Sequence, residues 1–287
     1  MFAFIPQSLL SAPLPTRPRP EVNPHRRKIV KSPLASISPT KRKIGSSLTA
    51  ALVCCFLALS GSVARAEINL SAFTGAALTQ DNDLELNQRG GTDLTFHDVS
   101  YEGRSFETPP YYGVRFLWFP GDASHLGFGA EYFHMKLYLD AGDTVSVTGS
   151  RAGTPVNRNE RVSDSITSFS ISHGLNYVLA DVIYRWFPGN RGEDFLGRFQ
   201  PYVGLGLGLA IPHVESNVGG IFHEEYQLHG PGVQGLAGVN FDLSRHWGLM
   251  FEYKFTYANL DTLDIPGGSI EITPLTHHLV AGISFRF

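Results

Sequence analysis

The chain has 287 residues, with 23 Lys and Arg against 26 Asp and Glu, but the charge is unevenly spread. Ten of the basic residues and one acidic residue (Glu21) fall in positions 1–66, leaving 13 against 25 and a formal charge of −12 in the remainder. Such an acidic body offers no basic face to a phosphate backbone, which excludes nucleic acid as a partner; its two cysteines, Cys54 and Cys55, both precede residue 67, so it has no disulfide and no thiol nucleophile.

Residues 1–66 read as a leader. Lys41-Arg42-Lys43 precede the apolar run Leu48–Leu59, and Ala64-Arg65-Ala66 gives the small-x-small pattern of a signal cleavage site, placing the cut after Ala66. The run is shorter than the roughly 20 residues of a spanning helix, so it is a signal and not an anchor. A lipidated Cys54 is the alternative reading, but Ala51-Leu52-Val53 is a poor lead-in to it. Residues 1–40, rich in Pro, Ser, Arg and Lys, make the leader unusually long, and a start at Val30 would restore ordinary length.

Beyond residue 66 short segments of alternating apolar and polar character recur, giving eight expected strands at 67–78, 111–119, 126–140, 174–187, 199–214, 231–243, 247–261 and 273–287. Long connections (79–110, 141–173, 215–230, 262–272) alternate with short ones (120–125, 188–198, 244–246). That is the order of an all-β, eight-stranded, antiparallel up-and-down transmembrane barrel of outer-membrane type, with short periplasmic turns, long outside loops and both termini in the periplasm. The second strand turns Tyr112, Val114, Phe116 and Trp118 one way and Arg115 the other, and the seventh sends Phe251, Tyr253 and Tyr257 outward and Glu252, Lys254 and Thr256 inward. Trp118, Trp186, Phe187 and Trp247 fall at the periplasmic interface, where an aromatic girdle belongs. An eight-stranded interior is filled by side chains, which excludes a porin channel.

The inward set, Arg115, Glu131, Asp181, Arg185, Glu252, Lys254 and Arg286, reads as an ion-pair network filling the lumen, and Gly204, Gly206 and Gly208 leave space there or admit bulky neighbours. Pro109 and Pro110 stiffen the segment 101–113, which either presents Arg104 and Glu107 over the mouth or covers the rim. His134, Lys136, His173, His213, Glu215, Glu225, Tyr226, Lys254 and Tyr257 all converge on the outer end, and the two-residue spacing of His213 and Glu215 lets both reach one metal. By phase, His134 and Lys136 lie on the opposite face from Glu131, so a shared site requires a bulge or a position on the outer wall. There is no nucleophile elbow, His-Glu-x-x-His, phosphate loop or dinucleotide fingerprint.

Six segments, Tyr-Glu-Gly-Arg-Ser-Phe-Glu-Thr-Pro-Pro-Tyr-Tyr-Gly-Val-Arg (101–115), Phe-His-Met-Lys (133–136), His-Gly-Leu-Asn (173–176), Pro-His-Val-Glu (212–215), Glu-Tyr-Gln-Leu (225–228) and Phe-Glu-Tyr-Lys-Phe-Thr-Tyr (251–257), together resemble the lipid A oxidase family of outer-membrane barrels. The terminal alternation ending in Phe287 resembles the signal read by the barrel assembly machinery. The first resemblance implies oxygen-dependent oxidation of the proximal glucosamine of lipid A to 2-aminogluconate, with hydrogen peroxide as by-product. Because no side chain accepts two electrons, it also implies a divalent metal ion or another cofactor. Within that implication the residues chosen by chemistry and position are His134 and His213 as metal ligands or bases, Glu225 as base or third ligand, and Arg104, Lys136 and Lys254 as partners of the lipid A phosphates. Two readings compete. One is a non-enzymatic barrel acting in surface binding or envelope integrity, favoured by the Ser-, Thr-, Gly- and Asn-rich stretch 141–170, which reads as a mobile loop; the other is an acyl hydrolase, for which Ser172 and His173 offer a poor start. A closed barrel has no edge that needs a partner, so a monomer is expected.

Overall fold

The computed structural model describes residues 66–190 and 194–287; the leader, its signal run and Cys54 lie outside them. Sixteen strands follow in chain order. The first eight are β1 (Glu67–Thr79), β2 (Asn82–Gln88), β3 (Thr92–Val99), β4 (Tyr101–Glu102), β5 (Tyr112–Phe119), β6 (Leu126–Leu139), β7 (Thr144–Arg151) and β8 (Thr154–Arg161). After them come β9 (Ile166–Arg185), β10 (Phe199–Val218), β11 (Ile221–Tyr226), β12 (Pro231–Asp242), β13 (Trp247–Ala258), β14 (Leu260–Ile265), β15 (Gly268–Ile272) and β16 (Leu275–Arg286).

Eight of them close a ring by antiparallel pairing, β1 to β5, β6, β9, β10, β12, β13, β16 and back to β1. Alternation is the cause: with a side-chain period of two, one face of each strand can be wholly apolar and the other wholly polar. Val114, Phe116, Phe128, Val178, Val182, Leu205, Leu207, Phe251, Leu279 and Ile283 are exposed on the outside, while Arg115, Glu131, Asp181, Glu252 and Lys254 are buried inside. In water this exterior would be an aggregation surface; its continuity around a closed barrel is what a hydrocarbon solvent requires. Trp186 and Trp247 sit near the end that holds Glu67 and Phe287, against Tyr184 and Phe285.

Two charge clusters occupy the lumen. In the upper one, Arg115 donates to both carboxylate oxygens of Glu252 (2.7 and 2.8 Å) and to Glu131, which also accepts from Lys254, while Tyr202 donates to Glu252 at 2.8 Å. In the lower one, Arg185 pairs with Glu67 at 2.5 Å and Arg286 with Asp242 at 2.5 Å. The glycines of β10 face this interior, and the space they leave is taken up by Ile183 beside Gly204 and Asp181 beside Gly206.

The long connections are not open loops. β14, β15, β2, β3, β7 and β8 form a second, six-stranded antiparallel sheet in that order. The stretch 141–170, expected to be a mobile loop, folds instead into the β7–β8 hairpin. Its inner face and those of its neighbours bury Leu84, Leu86, Leu94, Phe96, Val147, Leu263, Ile270 and Ile272, which join one hydrophobic cluster with Ile166, Phe169, Val214 and Val218 from the extended upper ends of β9 and β10.

Candidate functional site on the outer wall

The outward row of β6 runs Phe128, Ala130, Tyr132, His134, Lys136, Tyr138, and that of β10 runs Leu205, Leu207, Leu209, Ile211, His213, Glu215. On both strands the apolar row gives way to titratable residues at the same height. A polar site thus stands directly on the lipid-facing wall above the hydrocarbon band, and it is not in the lumen.

Between these strands β9 is irregular. Its pairing with β6 shifts between Met135 and Leu137, and its pairing with β10 shifts between Pro212 and Glu215, so Ser172, His173 and Gly174 form a bulge. A bulge re-aims side chains at a sheet surface. Here it pushes His173 out to meet His213, with ring centroids 4.8 Å apart, and Glu215, with Nδ1 2.7 Å from Oε1. Ser172 also donates to that carboxylate. From the other side, the β10–β11 hairpin sets Glu224 opposite Glu215 and Tyr226 opposite His213. Glu224 Oε1 lies 3.4 Å from His213 Nε2, and the Tyr226 ring packs 4.1 Å from the His213 ring. His173, His213, Glu215 and Glu224 each bring one ligand atom to within 4.8 Å of the others, so these four could hold a metal ion.

His134 stands beside them on the same face, stacked on Tyr112 at 5.0 Å. Asn176 directs its amide nitrogen at the carbonyls of Gly174 (3.0 Å) and Ile211 (3.3 Å), which leaves its Oδ1 as an acceptor. Tyr132 donates to that oxygen at 2.7 Å, and His134 Nδ1 lies 3.3 Å from it. The network therefore assigns the His134 proton to Nδ1, and its Nε2 is a buried lone pair without a hydrogen-bond partner. Gly174 is what admits the ring: a Cβ there would lie 2.0 Å from His134 Nδ1, and its φ of +112° disfavours any side chain.

The expected site residues fare differently. His134 and His213 both fall on the outer wall, as the phase of β6 requires, and the bulge lies in the partner strand, but His134 is not one of the four residues whose ligand atoms converge. Glu225 does not join them, because it pairs with Val214 and so faces the other side of the hairpin, 3.4 Å from His223; Glu224 stands where Glu225 was expected. Lys254 is fully buried among Glu131 and Glu252 and cannot reach a lipid phosphate. Lys136 is also spent, donating to the carbonyls of Glu107 (3.2 Å) and Thr108 (2.9 Å), and it holds the segment 103–111 against the rim. That segment covers the rim, with Ser105 Oγ accepting from Ala77 and Thr74 donating to Tyr111. Arg104 stays partly exposed, 4.1 Å over the Tyr138 ring and 3.0 Å from Glu102. Sequence reasoning missed Glu224, Asn176 and Gly174 as parts of the site. The first was one residue out of phase, and the other two, though inside the segment 173–176, act by positioning, which residue type alone does not reveal.

These features define a class: a small eight-stranded antiparallel β-barrel of outer-membrane type, with a titratable cluster on its lipid-facing wall. No protein-family model and no curated protein sequence matches the chain. The chain is similar to several solved structures. They include Neisserial surface protein A (15% identity, TM-score 0.37, covering 77% of this chain and 97% of that one) and the outer membrane protein OprG of Pseudomonas aeruginosa (14%, 0.34, 79% and 98%). Another is the outer membrane protease OmpT of Escherichia coli (9%, 0.39, 80% and 100%). At these identities the likeness concerns the fold alone.

Proposed function

We propose that the protein resides in the outer membrane of a Gram-negative bacterium, with the six-stranded sheet outside and its termini in the periplasm. There it oxidises the proximal glucosamine of lipid A to 2-aminogluconate. The observation that carries this reading is the position of the cluster. Chemistry built on the outer wall, at the upper edge of the apolar band, meets the saccharide headgroup of an outer-leaflet lipid and not a solute in the lumen.

The residues support a defined division of labour. His134 Nε2, a lone pair held by the Asn176–His134 contact, is placed to take the proton of the anomeric hydroxyl as a general base. A redox-active metal ion, when bound, supplies the path by which two electrons reach dioxygen, which no side chain offers. Loss of the O–H proton and of the anomeric C–H with its electron pair gives a lactone, and dioxygen takes up two electrons and two protons to become hydrogen peroxide. Water then opens the lactone to the aminogluconate, for a net gain of one oxygen atom. Arg104, exposed beside Tyr138, is the remaining cation for a lipid phosphate, and Tyr112, Tyr132 and Tyr226 form an amphipathic floor at headgroup height.

The acyl-hydrolase reading is weakened by the same geometry. Ser172 Oγ and Glu215 Oε1 both approach the Nδ1 nitrogen of His173, at 3.1 and 2.7 Å, whereas a relay needs the nucleophile on one ring nitrogen and the acid on the other. The adhesive reading loses the open loop that favoured it.

The test is the mass spectrum of lipid A whose proximal glucosamine carries a free anomeric hydroxyl, from a host lacking such enzymes, with and without the folded protein, in air and without oxygen. A gain of one oxygen atom that requires air is expected. Unchanged lipid A in the presence of folded, inserted protein would overturn the reading, and loss of an acyl chain would replace it with hydrolysis.

A further inference from the structure

Glu215 and Glu224 occupy directly opposed positions on β10 and β11. Like charges so placed on neighbouring strands destabilise the pairing unless something cationic lies between them. What lies between them is His213, whose two ring nitrogens are 3.7 Å from Glu215 and 3.4 Å from Glu224. The first separation is too long for a hydrogen bond. His213 is also 94% buried by its surroundings (6% exposed), and its Nδ1 has no hydrogen-bond partner among the described residues. A buried imidazole nitrogen left unpaired costs free energy, and native structures rarely keep one without a use. His173, brought in by the β9 bulge, adds a second imidazole on the same side.

We propose that His173, His213, Glu215 and Glu224 bind one divalent first-row transition-metal ion on the outer wall of the barrel. Two imidazole nitrogens with two carboxylate oxygens are borderline ligands, suited to manganese, iron, cobalt, copper or zinc and unlike the all-oxygen cage of calcium. Metal–ligand distances of about 2.0–2.2 Å place tetrahedral donors about 3.4 Å apart. The present spread, with every ligand atom within 4.8 Å of the others, closes to that by modest side-chain shifts. Glu224 and His173 are exposed, with room to shift, whereas His213 is buried and Glu215 half-buried. The inference deepens the proposed oxidation by naming its metal ligands, yet metal uptake can be measured without any lipid.

The experiment uses the folded protein in detergent micelles free of lipopolysaccharide, titrated with Mn2+ and followed by loss of the free-ion electron paramagnetic resonance signal. Co2+ serves as a second probe through its visible absorption. One saturable equivalent is expected, weakened by more than about tenfold in both Glu224→Gln and His213→Ala. His97→Ala, which removes a histidine of the outer sheet, is expected to bind as the unaltered protein does. Glu224→Gln guards against misfolding, since its side chain is 46% exposed. No saturable uptake, or uptake that survives Glu224→Gln and His213→Ala, would overturn the proposal. Uptake with unchanged lipid A would uphold this site and remove the oxidase reading, and oxidised lipid A from a protein that takes up no metal would do the reverse.

Discussion

The lumen and the outer wall use the same kinds of residue to opposite ends. Inside, Arg115, Lys254, Glu131, Glu252 and Tyr202 meet one another at hydrogen-bond distance, and the side chains of the four charged members are at most 1% exposed. Outside, His134 and His213 are nearly as well buried, yet each keeps one ring nitrogen without a partner, and two carboxylates face each other across a hairpin. A satisfied network is what a barrel needs for stability, because an unpaired charge in a closed interior is costly. An unsatisfied one persists where something else completes it. Burial alone would rank the two sets alike; hydrogen-bond satisfaction separates these five lumen residues from the two wall histidines, although Asp181, Gln234 and His278 deeper in the barrel also keep one atom unpartnered among the described residues.

The most severe way to break that contrast is to unpair the lumen. Arg115→Met leaves Glu131 and Glu252 without their shared guanidinium, and breaking a buried pair on one side costs about 3–5 kcal/mol. Urea titration of the barrel in micelles, read by loss of the fast-migrating folded band on unheated gels, should show that drop. A loss below about 1 kcal/mol would mean that water or a neighbour replaces the arginine. On the outer wall, His134→Ala should do the converse, with lipid A oxidation falling about 100-fold or more for want of the base while the gel-shift stability changes little. Equal oxidation by the two proteins would remove His134 from the chemistry.

Gly174→Ala tests how the two sets differ in tolerance. The new methyl group would press on His134 Nδ1 in a backbone of φ +112°, a strain of about 1–3 kcal/mol. Oxidation should fall with stability only mildly reduced, whereas Gly235→Ala, where a Cβ meets nothing closer than 3.9 Å, should leave both unchanged. An active Gly174→Ala protein would show that the bulge does not position His134.

How far the sequence foretold this molecule depends on periodicity. The eight barrel strands were legible because each carries four or more alternating apolar residues, as in Phe251, Tyr253, Phe255 and Tyr257, and the seven inward charges followed from the same phase. The six-stranded sheet was not, since β2 and β3 offer only Leu84, Leu86, Leu94, Phe96 and Val99 among charged and polar neighbours, a pattern no denser than that of a loop. His134 and His213 could be singled out by residue type and strand end. Glu224 could not be preferred over Glu225 without the β10–β11 register, nor Lys136 and Lys254 discounted without their partners. Residue type suggests chemistry, but only register and satisfaction say which copy is free to perform it.

The smallest expected effect lies in the outer sheet, where a third carboxylate has partners but also has water. Glu160 on β8 accepts from Arg151 through both oxygens (3.0 and 2.5 Å) and from Arg158 at 2.6 Å. The Arg151 hydrogen bonds hold its carboxyl below the ordinary glutamate range. A depressed folded pKa contributes stability that is present above the unfolded value, about 4.3, and is lost as pH falls through the folded value. Because Arg158 is 68% exposed, that contribution is screened and small, in contrast to the lumen pairs. Hydrogen exchange of the β7–β8 amides, corrected for the intrinsic pH dependence of exchange, should therefore show more frequent opening below about pH 4, while the barrel strands keep their protection. Glu160→Gln should flatten that dependence by opening the hairpin at neutral pH as readily as in acid. If the hairpin instead opens equally across the range in the unaltered protein, it is held by Val147, Val156 and their apolar neighbours alone, and the Glu160 pairs are surface ornaments of a packed sheet.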